Sequence, residues 1–150
     1  MAKSYFTFAC FVILLVVTAC EEKGDPRVMV TDAWAPASAE GATTAAIYFT
    51  LKNTGAAGDT LIGAKTYEAD SVSLHDAEKD GDVMKMKPVD GILIPKREEV
   101  ALTPGGLHLM LVDLTKPLTE GSMITVTLQF KKSPDWTLQV PIKAMDAAGP

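Results

Sequence analysis

Cysteine is nearly absent from this chain. Cys10 and Cys20 are its only two cysteines among 150 residues, and both stand within the first twenty. From Glu21 onward the sequence offers no thiol. Disulfide bonds, zinc–thiolate clusters and a cysteine nucleophile are therefore excluded from the part of the chain that follows.

Positive charge is also scarce. The chain has 14 Lys and Arg against 19 Asp and Glu, a formal net charge of -5. Lys3 is the only charged residue in segment 1–19. Without that segment, 13 basic residues remain against 19 acidic ones. The longest basic run is Lys131-Lys132. A nucleic-acid partner is excluded, because its phosphates demand clustered Lys and Arg.

Long apolar runs are confined to the start of the chain. A short segment with one Lys precedes an almost unbroken apolar run from Phe6 to Val17, the pattern of a secretory signal peptide. The run is shorter than the roughly 20 residues of a transmembrane helix. It ends in Val17-Thr18-Ala19-Cys20, which resembles a bacterial lipobox with cleavage before a lipidated Cys20. An ordinary signal peptide or an uncleaved anchor helix are the alternatives.

These features predict one domain behind a lipid anchor, on the periplasmic side of a bacterial membrane. About 131 mature residues suffice for a single core. The predicted divisions are a lipoprotein signal peptide over 1–19, a lipidated Cys20 with its tether over 20–27, a domain over 28–143 and a flexible tail over 144–150.

The body of the chain reads as short strands between turn residues, without a long amphipathic helix. Thr103-Pro104-Gly105-Gly106 predicts a type II turn, in which Gly105 takes the positive φ. The acidic stretch 76–82 predicts a solvated hairpin loop, and Trp34 and Trp136 are expected to anchor the core. The pattern indicates an antiparallel β-sandwich or barrel. Strands are predicted over residues 28–34, 44–53, 60–66, 71–75, 83–87, 92–94, 100–102, 107–114, 123–130 and 136–142.

Against this background, the chain's only two histidines stand at fixed offsets from methionines: His75-x10-Met86-x21-His108-x-Met110. Imidazole and thioether donors suit a soft ion such as Cu(I), whereas magnesium and calcium prefer oxygen. Zinc fits less well, because its protein sulfur is normally a thiolate. Four such residues at these offsets predict a copper site.

Strand alternation places some of these candidates together. His108 and Met110 project from one face, while Leu107, Leu109 and Leu111 point into the core. Met84 and Met86 share a face by the same rule. Whether the strands converge does not follow from the sequence.

The residues just described carry a family resemblance. The chain resembles the periplasmic PCu(A)C copper chaperones, whose signature is H(M)-x10-M-x21-H-x-M. It meets all four metal positions and both long spacings, and the likeness runs from about Val28 to Ile142. It includes Asp32-Ala33-Trp34, Val83-Met84-Lys85-Met86-Lys87-Pro88-Val89 and Pro104-Gly105-Gly106-Leu107-His108-Leu109-Met110-Leu111.

The resemblance implies a cupredoxin-like, antiparallel Greek-key β-sandwich that binds Cu(I) near its surface. It also implies delivery of copper to the CuA centre of cytochrome c oxidase rather than catalysis. The expected partners are the CuA-bearing subunit or another copper chaperone. The optional Met after the first His is Asp76 here, so an extra thioether would have to come from Met84. Met84 could instead gate the site or simply pack, and packing is the favoured expectation.

Some other classes of protein function are excluded by the sequence, and others remain possible. A blue-copper electron carrier needs a Cys beside two His and is excluded. No Ser-His-Asp order or paired acid and base indicates an enzyme. Copper storage or resistance is the alternative within metal binding, and an immunoglobulin-like structural lipoprotein is the alternative outside it.

Overall fold

The computed structural model describes residues 24–81 and 83–147. The predicted signal peptide, Cys20 and the last three residues of the predicted tail lie outside that part. Within it, no helix has the length and apolarity to span a membrane. Ten strands follow one another along the chain: β1 Val28–Pro36, β2 Thr44–Asn53, β3 Asp59–Thr66, β4 Ala69–Asp80, β5 Val83–Pro88, β6 Ile92–Ile94, β7 Glu99–Leu102, β8 His108–Leu114, β9 Met123–Phe130 and β10 Trp136–Lys143.

All ten predicted strands are confirmed, nine of them with each end within two residues of the prediction. The exception is β4, which starts two residues early and runs five residues past its predicted end at His75. The predicted loop over 76–82 is wrong: its first five residues continue β4 and pair with β5. A charged strand in a two-stranded hairpin buries no face, so it lacks the apolar alternation that identifies a strand.

The strands form one sheet in the order β5-β4-β8-β2-β1-β10-β9-β3-β6, with β7 attached to β2. Nearly every pairing is antiparallel, as predicted, but β1 and β10 pair in parallel through Ala35 with Ile142 and Pro36 with Lys143. This short parallel contact joins the half that contains β5, β4, β8 and β2 to the half that contains β10, β9, β3 and β6. The inward side chains of both halves form a single core.

The core consists of side chains at alternate positions of the strands, which point inward. Leu109 and Leu111 of β8 are fully buried, and Leu107 packs half-buried against them, as the sequence predicted. Trp34 is buried as expected but stands outside the core cluster. The expectation for Trp136 is wrong, because this first residue of β10 is 42% exposed and does not belong to the core cluster.

Two buried polar side chains hold the loops at one end of the sandwich. Asn53 accepts hydrogen bonds from the backbone N–H groups of Arg27 and Gly55 and donates one to the carbonyl of Ala57. Asp59 accepts from the backbone N–H groups of Thr60, Lys132 and Ser133 at 2.7, 2.9 and 2.8 Å. Both satisfy backbone groups that the strand ladders leave unpaired.

The turn before β8 has the predicted geometry. Gly106 donates its N–H to the carbonyl of Thr103 at 3.0 Å, and Gly105 has a φ of 82°. A type II turn needs this positive φ at its third residue, which glycine adopts at little cost. The turn sets the level at which β8 begins, and hence the position of His108.

Candidate metal centre

The register of β4 and β8 brings the two histidines together. His75 lies directly opposite His108 in the ladder, and on its other side it lies opposite Pro88 of β5. Directly opposed residues in an antiparallel ladder project from the same face of the sheet. We call this line across the three strands the histidine row.

One methionine stands one row away from the histidine row on each side. Met110 lies opposite Ser73, two residues from His75 along β4, and Met86 lies opposite Ala77, two residues away in the other direction. Because side chains alternate between faces, all four candidate residues project from one face, opposite the buried leucines of β8. The structure thus brings the four sequence-predicted residues onto one surface. Their role as ligands remains a prediction.

The two imidazole rings are neighbours, with ring centroids 5.7 Å apart and planes inclined by 41°. His108 is 3% exposed, and its Nδ1 stands 2.9 Å from the carbonyl oxygen of Gly106. A carbonyl oxygen can only accept, so Nδ1 carries the proton and Nε2 keeps its lone pair free. Protein metal sites hold ligating histidines in this way, through a hydrogen bond to the other ring nitrogen.

Two imidazole nitrogens in this pair have no partner within the described part of the chain. His108 Nε2 and His75 Nδ1 are both buried and make no hydrogen bond. Leaving a buried polar atom unpaired costs on the order of 1 to 3 kcal/mol, so such atoms are uncommon and call for an explanation. A metal ion bound by this histidine pair would give both nitrogens a partner.

Electrostatics favour the neutral, metal-competent form of His75. Burial lowers its pKa, and the nearby His108 lowers it further. Both causes oppose a second positive charge beside the first ring. A neutral imidazole is the form that binds a metal ion, so the lowered pKa favours the metal-binding form of His75.

The candidate residues range from buried to open. His108 is buried, His75 and Met110 are half-buried, and Met86 is 57% exposed. Met86 belongs to β5, an edge strand that is exposed along its whole length and that, among the described strands, pairs only with β4. The histidine side of the surface is therefore shielded, while the β5 side is open to solvent.

The opposite face of the β4–β5 hairpin is charged. Lys85 pairs with Asp80, and Lys87 pairs with Glu78. Hydrogen bonding and charge attraction within the second pair lower the pKa of Glu78 and raise that of Lys87. This segregation leaves the face with Met84 and Met86 free of these ion pairs.

A further feature of the site was not anticipated from the sequence. Tyr48 of β2 stacks obliquely on Trp34, with centroids 4.9 Å apart, and lies 6.4 Å from the ring of His108. It therefore continues the histidine row across β2 and β1. Alternation along β2 puts Tyr48 and Ala46 on one face, but only the register of β2 with β8, where Ala46 lies opposite Met110, brings that face to the site.

The donor set has a specific chemistry. Among the described residues, no three His, Cys, Asp or Glu are clustered to hold a metal ion. A metal on this face would thus depend on thioether sulfur as well as imidazole. Such a set favours a soft ion such as Cu(I) over zinc, calcium or magnesium.

Solved structures place this fold in a known class. The PCuAC domain of PmoF2 in its apo form is 31% identical, with a TM-score of 0.70, over 82% of this chain and 94% of that one. Its copper-bound form is 31% identical, with a TM-score of 0.69, over 78% and 92%. The Cu(I) form of DR1885 from Deinococcus radiodurans is 27% identical, with a TM-score of 0.65, over 83% of both chains. The predicted all-β, cupredoxin-like fold is confirmed, and it is that of the PCuAC domains.

Sequence comparison identifies the particular family. The pattern of the family described as "Putative lipoprotein LpqE-like" matches residues 28–142. The putative lipoprotein Lxx21020 of Leifsonia xyli subsp. xyli (strain CTCB07) is 35% identical over 122 residues, which is 81% of this chain and 72% of that protein. The chain belongs to the LpqE-like family of PCuAC-type proteins.

Proposed function

We propose that this protein binds one Cu(I) ion through His75, Met86, His108 and Met110 and passes it to a partner protein. The observation that carries the proposal is the pair of buried imidazole nitrogens without partners, on neighbouring rings, with a methionine one row away on either side. The copper-bound PmoF2 domain and the Cu(I) form of DR1885 support the choice of metal. The donors themselves support it independently.

These residues would hold and release the ion without catalysing a reaction. His108, fixed by Gly106, and His75, kept neutral by burial, would offer imidazole lone pairs. Met110 and Met86 would add neutral sulfur donors, and neither thioether needs to lose a proton before it binds. Four neutral ligands also place no negative charge around the ion, which favours its release.

We further propose that the recipient is the CuA-bearing subunit of cytochrome c oxidase or another copper chaperone. The protein would act from the periplasmic side of a bacterial membrane, held there by lipid on Cys20. The lipoprotein description of the family and of the Leifsonia relative supports the anchor. The exposed β5 supports transfer to another protein, because it presents the open side of the site to solvent.

An anaerobic Cu(I) titration tests the site. In competition with a chromophoric chelator, the wild-type protein should bind close to one equivalent, and a Met86→Leu, Met110→Leu double variant should bind at least about tenfold more weakly. Leucine keeps the volume and removes the sulfur. A Met29→Leu, Met123→Leu double variant is the matched control, because both of its methionines are exposed and lie on other strands. Equal binding by both variants would overturn the proposed ligands.

Delivery is separated from storage by deleting the gene and assaying oxidase activity at limiting copper. Delivery predicts low activity that excess copper or the wild-type gene restores, and that the ligand-deficient double variant does not. Normal oxidase activity together with reduced copper tolerance would instead indicate storage or resistance.

A further inference from the structure

Met84 is a methionine beside the site that the four-residue pattern does not include. It lies on β5 two residues before Met86 and opposite Lys79 of β4. Its side chain projects from the same face as that of Met86 and is 47% exposed. The two thioethers therefore stand next to each other along an open edge strand.

The register excludes Met84 from the set around the histidines. Strands rise about 3.4 Å per residue, so each two-residue step separates neighbouring rows by about 7 Å. Met86 and Met110 each lie one step from the histidine row, on opposite sides, whereas Met84 lies two steps away. An ion held by the histidine pair would have Met86 between itself and Met84.

The Met84 side chain reaches across β4 to the turn before β8. Its terminal methyl group lies 3.8 Å from the position that a Cβ on Gly105 would occupy. Gly105 belongs to the turn whose next residue, Gly106, accepts the hydrogen bond from His108. The end of the Met84 side chain therefore lies beside the turn that holds His108. Methionine has three rotatable side-chain bonds, so its sulfur can move without movement of the strand.

We propose that Met84 is a transfer donor, which takes Cu(I) from Met86 and presents it at the outer edge of β5 to the incoming ligand of an acceptor. The inference rests on the proposed copper-binding function. In the step, the bond from copper to the Met86 sulfur breaks as the bond to the Met84 sulfur forms. Copper stays Cu(I), and no proton moves, because both ligands are neutral thioethers. The bonds to Met110, His75 and His108 break in turn as ligands of the acceptor replace them. Met84 contributes to the rate of exchange and not to the resting site.

The arrangement provides a route that the histidine side lacks. His108 is buried and His75 half-buried, so an acceptor has little access from there. Both methionines of β5 are exposed, and the face they share lies opposite the Lys85–Asp80 and Lys87–Glu78 pairs. An acceptor that approaches this edge would meet Met84 and Met86 side by side, before it reached the histidines or Met110.

The test compares Met84→Leu with Met29→Leu, because both methionines are 47% exposed and only Met84 is near the site. Each full-length protein is loaded with Cu(I) anaerobically. Transfer to bathocuproine disulfonate is followed by stopped flow, and affinity is measured separately by competition. Met84→Leu should slow transfer at least threefold, an effect of about 0.65 kcal/mol or more on the barrier. Its affinity should stay within about twofold of wild type, and Met29→Leu should change neither quantity.

Two results would overturn the transfer role while leaving the proposed function intact. Unchanged transfer by Met84→Leu would show that the residue takes no part, and an affinity loss as large as that of Met86→Leu would make it a resting ligand. X-ray absorption provides a second readout, since the number of sulfur neighbours of copper should be equal in wild type and Met84→Leu. Failure of the wild-type protein to bind Cu(I) would overturn the proposed function, and the transfer role with it.

Discussion

At the scale of single residues, His108 is buried and has a ring nitrogen without a partner. A substitution of His108 should therefore affect metal binding much more than the stability of the metal-free protein. In His108→Leu, the loss of the hydrogen bond to Gly106 is offset by removal of the unpaired Nε2. We expect the free energy of unfolding of the metal-free variant to differ from wild type by less than about 1 kcal/mol. Thermal denaturation of the metal-free proteins checks this value.

Cu(I) should stabilise the wild-type protein against unfolding but not His108→Leu. A ligand present at about 100 times its Kd stabilises the folded state by about 2.7 kcal/mol, so wild type should gain this stability and His108→Leu should not. Leu109→Ala is the control on the other face of β8. It should cost about 3 kcal/mol without metal and still respond to copper. Equal stabilisation of wild type and His108→Leu by Cu(I) would exclude His108 as a ligand.

Asp59 determines how the fold responds to acid. Burial alone would raise its pKa, but hydrogen bonds from Ser133, Thr60 and Lys132 outweigh burial, and the pKa is lowered. A lowered pKa in the folded state contributes stability that is complete above the unfolded value of about 3.9. That stability is lost as the pH falls through the lower, folded value.

Asp59→Asn should therefore lower the free energy of unfolding at pH 7 by about 2 kcal/mol, since an amide cannot accept all three backbone N–H groups. The difference from wild type should shrink as the pH falls below about 4. Urea denaturation at pH 7 and pH 3 measures both quantities. The exposed Asp135→Asn is the control and should stay within about 0.5 kcal/mol. A difference that does not depend on pH would contradict the carboxylate's role.

At the scale of strands, the β5 edge should open most readily. β5 buries no residue and pairs on one side only, and its flanking ion pairs are exposed and individually weak. Amide hydrogen exchange should be faster in residues 83–88 than in β8, because local stability follows burial. Mass spectrometry of peptides from the metal-free protein checks this order.

Copper should slow exchange in β5 selectively. Met86 is the one proposed ligand on this strand, so a bound ion would tie β5 to the histidine row. Protection should rise over residues 83–88 and stay constant in β10, which carries no proposed ligand. Equal protection of β5 with and without Cu(I) would indicate that Met86 does not hold the ion.

The strands also show what could be read from the sequence. Apolar alternation and turn residues located all ten, because each has at least one buried face or clear flanking signals. The far half of β4 was missed, since Glu78 and its neighbours pair only with the exposed β5. The convergence of His75, Met86, His108 and Met110 depends on the registers of β4 with β5 and β8. Register arises from cross-strand pairing, which no local pattern specifies, and for the same reason Tyr48 was not foreseen.

At the scale of the whole molecule, the domain and its anchor should be separable. The copper site is built from strands between His75 and Met110, whereas the proposed lipid attachment is at Cys20. We therefore expect Cys20→Ser to release the protein from the membrane without changing its Cu(I) affinity. Two acyl chains on one residue give stable membrane attachment, because each buried CH₂ contributes about 0.8 kcal/mol.

The measurement is detergent phase separation of the full-length protein expressed in a bacterium that processes lipoproteins. Wild type should enter the detergent phase and incorporate labelled palmitate, while Cys20→Ser should remain in the aqueous phase, unlabelled. Cys10→Ser is the matched control, because its cysteine lies within the proposed signal peptide and should not carry lipid. Wild type that is membrane-bound without label, together with Cys20→Ser that stays membrane-bound, would indicate an uncleaved anchor helix and refute lipidation.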